Sequence, residues 1–260
     1  MKIKKNVPVQ LVCGFHSVCA ALKSGRVESL YISETKNNKQ LKIAKNLAVK
    51  LNVDIQECSV DKLSEMTSIK GHQGFVAKVF PPKVLSLEKF LENQPDTRPP
   101  LIMLDRIQDP RNFGSIIRTA SALGAGGVLY TKNGSSKLTA SVSKVASGGL
   151  ESLPIMSVNN LVRTVEKLKS RGYWILAGDP EGDVILGSQE FPNPIVLIVG
   201  GEGTGIRRLV LNSCDFRVRI SLQPRNEIAS LNASVATGIL LHEIIVKRKD
   251  RAKAMDNKFR

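Results

Sequence analysis

Apolar residues recur in two alternating patterns over the second half of the chain. Short aliphatic runs typical of buried strands occur at residues 101–104, 128–130, 173–177 and 195–199, and a half-polar run follows at 216–220. Between them, apolar residues recur at helical spacing, as in 113–123, 161–170 and 233–246. Because aliphatic strands that alternate with helices indicate a parallel sheet covered on both faces, this region is predicted to form a Rossmann-like α/β domain. Ligands of such sheets bind at the carboxyl ends of the strands.

The first part of the chain has a different, mixed pattern. Helical spacing over 14–24 and 39–51 is interspersed with strand-like runs at 29–33, 54–58 and 74–80. This predicts a small α/β domain over residues 8–80. Prolines then bracket a predicted linker, 81–100, which carries one short helix near 85–91. The second domain is predicted to span 101–247, and residues 248–260 are predicted to form a basic tail.

A cluster of glycines follows the aliphatic run at 195–199, with the sequence GGEGTG at residues 200–205. Glycines allow backbone groups to approach a ligand closely, so a small-molecule pocket is predicted here, with Glu202 and the downstream Asn232 as its polar markers. A phosphate-binding P-loop is excluded because Ile206 and Arg207, and not a Lys-Ser or Lys-Thr pair, follow the last glycine. The spacing of the glycines also excludes a nicotinamide dinucleotide fingerprint.

The chain is strongly basic, with a formal charge of +15 over 260 residues. That charge exceeds what solubility requires and favours nucleic acid as a partner over the alternative, a basic enzyme without a polyanionic ligand. Aromatic residues make up only 5% of the sequence, which argues against stacking on aromatic side chains as the main mode of binding. The basic stretch 247–253 is either a solvated helix end or a segment that contacts phosphate.

The four cysteines and three histidines form no metal-binding or catalytic pattern. Without a Cys-x-x-Cys pair or a histidine at ligand spacing, no metal site is predicted, and the cysteines favour a reducing compartment. No apolar run reaches membrane-spanning length, and the start of the chain lacks the apolar segment of a secretory signal. We therefore expect no membrane association and a bacterial cytoplasmic location, with an organelle matrix as the alternative.

A second polar segment, 105–120, ends one predicted strand and begins a helix. Asn112 lies near the helix start, where it is either the N-cap or a functional residue. Arg118 lies among small and apolar residues of the same helix, so its side chain is directed to solvent, to a partner chain or into a polyanion site. The pattern alone leaves these alternatives open.

Three segments of the chain resemble, in their order and spacing, the motifs of a known family. They are DPRNFG at 109–114 with RTA at 118–120, GGEGTG at 200–205, and SLNASVA at 230–236. Together they resemble the SpoU/TrmH branch of the SPOUT RNA methyltransferases. GFHSV at 14–18 and HQGFVA at 72–77 resemble the ribosomal-protein-like RNA-binding domain of the large-subunit rRNA members. The resemblance is closest to the guanosine 2′-O-ribose methyltransferases of the peptidyl-transferase region.

The resemblance implies a parallel sheet whose C-terminal segment is threaded into a deep trefoil knot, a rare exception to unknotted topology. It implies S-adenosylmethionine as the cofactor, bent within the knot and held largely by backbone groups. The cofactor-binding positions that match are Gly200, Gly201, Ile220, Leu222 and Leu231. The resemblance also implies a homodimer with the site close to the subunit interface.

The polar residues that the resemblance assigns to catalysis are Asn112, Arg118, Glu202, Ser230 and Asn232. Methyl transfer to a ribose hydroxyl is an in-line displacement, so alignment of the oxygen and the methyl carbon is a large part of catalysis. Because a guanidinium stays protonated, we expect Arg118 to hold the adjacent phosphate and stabilise developing alkoxide charge rather than act as a base. Glu202 and Asn232 are expected to hold the loop geometry, Arg118 or the nucleotide.

Two other functions stay open at this point. The first is a non-catalytic RNA-binding ribosome-assembly factor that keeps this fold, against which the intact polar residues argue. The second is a tRNA 2′-O-ribose methyltransferase. The RNA-binding first domain favours rRNA, and no residue in the sequence identifies the methylated nucleotide.

Overall fold

The computed structural model describes residues 9–35, 39–67, 71–95, 98–222 and 231–258, with side chains described as far as residue 247. The chain divides into two compact units. The first combines the residues up to Lys83 with Leu138–Ser152, and the second combines Val84–Lys137 with the residues from Leu153 onward.

The first unit contains a mixed sheet with helices. Its elements before residue 84 are β1 Gln10–Cys13, α1 Phe15–Lys23, β2 Val27–Ser33, α2 Lys39–Lys50, β3 Asp54–Cys58, α3 Val60–Thr67 and β4 Phe75–Val79. The strands lie in the order β1-β4-β2-β3, with β4 antiparallel to both neighbours and β2 parallel to β3. The mixed α/β architecture predicted for this region is confirmed, and β1 and α3 are elements that the apolar pattern did not indicate.

The rest of the chain alternates mostly between strands and helices. In order, the elements are β5 Val84–Leu85, α4 Leu87–Glu92, β6 Leu101–Asp105, α5 Pro110–Leu123, β7 Gly127–Thr131, α6 Ala140–Ala146, α7 Gly149–Ser152, β8 Ile155–Val158, α8 Leu161–Lys169, β9 Trp174–Gly178, β10 Val184–Ile185, β11 Ile195–Gly200, α9 Arg208–Leu211, β12 Phe216–Arg219 and α10 Ala233–Lys258.

The second unit is organised by one eight-stranded sheet in the order β10-β12-β9-β11-β6-β7-β8-β5. Every neighbouring pair of these strands is parallel. The central strands β6, β7 and β11 are buried over nearly all of their length. The predicted Rossmann-like parallel sheet is therefore confirmed, and its strands end together at one side, which we call the carboxyl edge.

Two segments do not lie where the apolar pattern places them. Residues 84–92, within the predicted linker, form β5, which pairs with β8, and α4, which packs in the core of the second unit. Residues 138–152, predicted within the second domain, pack in the first unit. There Glu151 forms a largely buried ion pair with Arg26, and the Leu138 carbonyl accepts a hydrogen bond from Gln10 Nε2 at 3.1 Å. Contacts distant in sequence decide both placements, which explains why local periodicity misses them.

Helix α5 begins earlier than the apolar pattern predicts. Its N-cap is Asp109, whose side chain accepts a hydrogen bond from the Arg111 N–H at 2.9 Å, and Pro110 occupies the first turn. Pro110 lacks a backbone N–H and is therefore tolerated there. The N-cap reading of Asn112 is thus wrong, because Asn112 lies inside the helix and is buried. No helix among the described residues combines the length and apolar character of a membrane span.

Candidate active site at the glycine-rich loop

A cavity of about 830 Å³ opens at the carboxyl edge of the second unit, beside β9, β11 and β12. It is lined by residues 178–181, 199–205, 218, 220, 222, 231–233, 236 and 240. The predicted cofactor-binding positions all lie on its wall: Gly200, Gly201, Ile220, Leu222 and Leu231. The structure therefore brings together loops that are distant in sequence, since the residues that line the cavity range from Gly178 to Leu240.

The glycines of the loop are required by contacts between backbone segments. A Cβ atom added to Gly200 would lie 2.1 Å from the carbonyl carbon of Gly205, and one added to Gly201 would lie 2.6 Å from the Arg106 oxygen. The Gly201 N–H donates to the Asp105 carbonyl at 3.0 Å, and the Gly205 N–H donates to the Gly201 carbonyl at 2.9 Å. The loop thus folds back on itself, so side chains at these positions would push it open.

A buried carboxylate fixes the far end of this loop. Asp105, at the end of β6, is fully buried and accepts hydrogen bonds from both the backbone N–H and the side chain of Arg207 at 2.9–3.1 Å. Residue-pattern reasoning did not assign a role to this pair. The available signal was a carboxylate ending a wholly aliphatic strand, in register with Gly200 of β11. Because a buried charge needs a partner, Asp105 and Arg207 hold the loop between them.

Three of the predicted catalytic side chains form a closed hydrogen-bonded network. Asn112 Nδ2 donates to Glu202 Oε1 at 2.8 Å, and Asn232 Nδ2 donates both to Asn112 Oδ1 at 2.9 Å and to Glu202 Oε1 at 2.5 Å. The side-chain oxygen of Asn232, Oδ1, accepts from the backbone N–H groups of Ser234 and Val235, at the start of α10. The network therefore joins α5, the glycine-rich loop and α10 at the cavity.

Arg118 and Ser230 are not brought into this network. Arg118 lies on the exposed side of α5, does not line the cavity, and makes no hydrogen bond or ion pair with any residue that the structure describes. Ser230 lies outside the described residues. Its predicted role stays a prediction.

The cavity wall is acidic although the chain is basic. Asp179, Glu181 and Glu202 line it, and none of its described lining residues is a lysine or an arginine. Asp179 pairs with Arg217 outside the cavity at 2.8 Å, and this contact raises the pKa of the Arg217 guanidinium. Neither Glu181 nor Glu202 forms an ion pair among the described residues, although the Arg217 guanidinium is near enough to Glu181 for their charges to interact. Such a wall attracts a positively charged ligand.

Neither metal binding nor thiol chemistry has support in the described part of the chain. No group of three or more histidine, cysteine, aspartate or glutamate side chains there is arranged to hold a metal ion. Burial is the main reason that the pKa of the Cys214 thiol is raised to about 12. Burial also raises the pKa of the Cys13 and Cys19 thiols. These thiols are therefore weak nucleophiles, because the thiolate is the reactive form.

Comparisons with known proteins agree with this geometry. Residues 99–242 match the SpoU rRNA Methylase family, and residues 11–85 match the family described as RNA 2′-O ribose methyltransferase substrate binding. RlmB of Pseudomonas putida, a 23S rRNA (guanosine-2′-O-)-methyltransferase, is 37% identical over 247 residues, which cover 93% of this chain and 98% of RlmB.

Solved structures resemble this chain to different extents. The SpoU methyltransferase AviRb from Streptomyces viridochromogenes, in complex with the cofactor AdoMet, has a TM-score of 0.76 and 25% identity over 92% of this chain and 90% of AviRb. The A. aeolicus TrmH/SpoU tRNA modifying enzyme has a TM-score of 0.54 and 27% identity over 64% of this chain and 82% of that enzyme. With a family match over more than half of its length and a relative that it covers almost completely, the chain belongs to the SpoU rRNA methylase family.

Proposed function

We propose that the protein transfers a methyl group from S-adenosylmethionine to a ribose 2′-hydroxyl of RNA, and that its substrate is a guanosine of large-subunit rRNA. The observation that carries this proposal is the network of Asn112, Glu202 and Asn232 on the wall of the glycine-lined cavity. It joins the three segments that define the resemblance to the family, at a site of the size and charge that the cofactor needs.

The cavity suits S-adenosylmethionine in size and in charge. Its volume of about 830 Å³ lies within the usual ~300–1,000 Å³ of small-molecule sites. The acidic wall, with Glu181 and Glu202, suits a ligand that carries a sulfonium and an ammonium group. Gly200, Gly201, Ile220, Leu222 and Leu231 would hold it. When bound, it supplies the electrophilic methyl group of the reaction.

The role of the polar network is to hold groups in position, and it does not transfer protons. Glu202 accepts hydrogen bonds from two neutral amides: Asn112 lies within α5, and Asn232 lies immediately before α10. This arrangement holds the glycine-rich loop in one shape and presents the Glu202 carboxylate to the nucleotide or to Arg118. Preorganisation of this kind contributes to catalysis by aligning the attacking oxygen with the methyl carbon.

We infer that the protein works as a homodimer in which Arg118 of one subunit faces the cavity of the other. Two observations support this arrangement. Arg118 is exposed and is not among the described residues that line the cavity of its own chain. Helix α10, which packs against α5, exposes Val235 and Ile239 on neighbouring turns, 50% and 39% accessible. Such an apolar stripe is typical of an interface between copies of a chain.

In that position Arg118 would bind the phosphate beside the target ribose and stabilise the charge that develops on the 2′-oxygen. The proton of the hydroxyl would pass to phosphate or to water, because a guanidinium does not accept it at physiological pH. No metal ion is needed for this role.

The extent of similarity favours rRNA over tRNA as the substrate. The resemblance to RlmB extends over both units of this chain, whereas the tRNA modifying enzyme of A. aeolicus corresponds to only 64% of it. The first unit, which matches a substrate-binding family, is therefore a feature shared with the rRNA enzyme. The tRNA methyltransferase remains the second candidate.

We further propose that the protein acts in the bacterial cytoplasm and that the C-terminal segment of its parallel-sheet domain is threaded into a trefoil knot. The bacterial origin of RlmB supports the first point. The second is supported by the Gly200–Gly205 backbone contact and by the hydrogen bonds from Asn232 to residues of two earlier segments.

Mapping of 2′-O-methyl groups in rRNA and tRNA from a strain that lacks the gene tests the substrate. We expect one guanosine of large-subunit rRNA to lose its methyl group and to regain it on expression of the protein. An unchanged rRNA with a lost tRNA methyl would favour the tRNA candidate. Purified protein that binds rRNA but not S-adenosylmethionine would favour the assembly factor.

A further inference from the structure

Arg106 has a backbone conformation that is unfavourable for a residue other than glycine. It follows Asp105 at the end of β6 and has a φ of 57°, in the left-handed region. It is the only non-glycine residue of the second unit, within the described part of the chain, with a positive φ. Glycine and asparagine adopt this conformation readily, whereas an arginine there is strained.

The backbone turn at Arg106 has a clear structural cause. Its carbonyl oxygen lies only 2.6 Å from the position that a Cβ of Gly201 would occupy, and the preceding carbonyl, of Asp105, accepts from the Gly201 N–H. The turn thus lets β6 and the glycine-rich loop approach each other beside the cavity. Glycine would make the same turn without strain, so the turn does not explain why an arginine is present.

The side chain of Arg106 is available to a ligand. It is exposed, its aliphatic part passes over Gly134, with Cγ 3.2 Å from the position of an added Cβ, and it has no hydrogen bond or ion pair among the described residues. Lys132 is exposed and follows the last residue of β7, as Arg106 follows the last residue of the neighbouring strand β6. The Ser136 N–H donates to the Ile107 carbonyl at 2.8 Å, so the segment that carries exposed Lys137 is joined to the segment that carries Arg106.

We infer that Arg106, with Lys132 and Lys137 beside it, binds a backbone phosphate of the RNA next to the methylated nucleotide. This inference rests on the proposed function and names the surface by which the second unit itself contacts RNA. The separation of charge supports it: the cavity wall carries carboxylates for a cationic cofactor, and this rim carries cations for a polyanion. An arginine binds phosphate with two parallel N–H donors, which is a reason to keep it at a strained position.

Three variants distinguish a phosphate contact from a packing role. Arg106→Gly removes the charge and relieves the backbone strain, and Arg106→Met keeps the aliphatic stem over Gly134 without the charge. Arg171→Ala removes one exposed arginine at the opposite end of the sheet, just before β9, and is the control. The probe is an unmodified in-vitro transcript of the peptidyl-transferase domain of 23S rRNA, with affinity measured by filter binding at several salt concentrations.

For Arg106→Gly and Arg106→Met we expect roughly tenfold weaker RNA binding, as for the loss of one charge-assisted contact. We also expect the slope of log affinity against log salt to fall by about one. The melting temperature of Arg106→Gly and its affinity for S-adenosylmethionine are expected to be no lower than those of the wild type. Arg171→Ala is expected to bind as the wild type does.

Wild-type affinity in Arg106→Met, or a lower melting temperature in Arg106→Gly, would overturn the inference in favour of a packing role. Wild-type protein that does not bind the transcript would overturn it as well. If the wild type binds the transcript in an Arg106-dependent way but transfers no methyl group, the proposed enzyme function fails while the phosphate contact stands.

Discussion

Asn112 and Asn232 hold the Glu202 carboxylate with neutral N–H donors, and no cation among the described residues neutralises it. The geometry of the network therefore depends on the amide nitrogens. An aspartate at position 112 would have nearly the same shape, but it would place a second carboxylate oxygen where the nitrogen now donates to Glu202. The Asn112→Asp substitution therefore changes the charge of the side chain while leaving its size nearly the same.

Asn112→Asp is expected to lower the free energy of unfolding by about 1–3 kcal/mol, because it replaces a hydrogen bond by repulsion between carboxylates. Methyl transfer is expected to fall at least tenfold, since the loop shape changes. Thermal unfolding and a transfer assay measure the two effects. Asn46→Asp, on an exposed face of α2, is the control and should change neither. A variant with wild-type unfolding and turnover would show that the network is dispensable.

Glu181 offers a test of the charge of the cavity. The cofactor loses its sulfonium charge when it becomes S-adenosylhomocysteine, so an exposed carboxylate on the wall should favour the cofactor over the product. We expect Glu181→Gln to weaken S-adenosylmethionine binding about threefold, a typical effect of one exposed charge, and to leave product binding unchanged. Calorimetric titration with both ligands measures the ratio, with exposed Glu166→Gln of α8 as the control. Equal weakening of both ligands would show that Glu181 does not act on the sulfonium, because the ammonium group is common to cofactor and product.

Among the elements, the glycine-rich loop is the one whose position depends most on other segments. β6 contacts its start through Asp105 and Arg106, and Arg207 anchors its end. The loop is thus built from backbone contacts that leave almost no space for side chains. The fold of the loop therefore requires its glycines for a reason that is separate from ligand binding.

Gly201→Ala should show this requirement directly. Its Cβ would lie 2.6 Å from the Arg106 oxygen, so the loop must shift. We expect a loss of about 1–3 kcal/mol in stability, as for overpacking, and at least tenfold weaker S-adenosylmethionine binding. Gly238→Ala in α10 is the matched control, because its Cβ would meet only Thr119 Cγ2, at 3.5 Å. Chemical denaturation and calorimetry measure both variants. Wild-type behaviour of Gly201→Ala would contradict the backbone contact.

The glycine loop and eight of the twelve strands that the structure describes could be predicted from sequence, because each depends on a local pattern. The aliphatic run at 195–199 is β11 almost to the residue, and GGEGTG follows it into the cavity wall. The Asp105–Arg207 pair and the placement of 138–152 could not be predicted in this way. Both depend on contacts between segments about a hundred residues apart, on which local periodicity carries no information.

For the whole molecule, the position of Arg118 distinguishes a site completed within one chain from a site shared by two. Arg118→Ala and Asn232→Ala are each expected to abolish methyl transfer. If Arg118 acts across the interface, a mixed dimer of the two variants has one intact site, formed by the cavity of the first and the arginine of the second. Equal co-expression should then restore about one quarter of wild-type activity, since half of the dimers are mixed.

Activity measurements on the co-purified, differently tagged mixture test this expectation, and sedimentation gives the oligomeric state. Recovery of activity would require a shared site. A dimeric mixture without activity would place Arg118 in its own subunit, and a monomer would remove the interface from the mechanism.

Helices α6 and α7, which pack in the first unit, lie in the chain after β6 and β7 of the second. During translation the first 83 residues emerge before the helices that complete their contacts, including the glutamate that pairs with Arg26. N-terminal domains usually fold as units while synthesis continues. Here the nascent N-terminal unit waits for about seventy further residues, so its completion is delayed until a substantial part of the catalytic unit has left the ribosome.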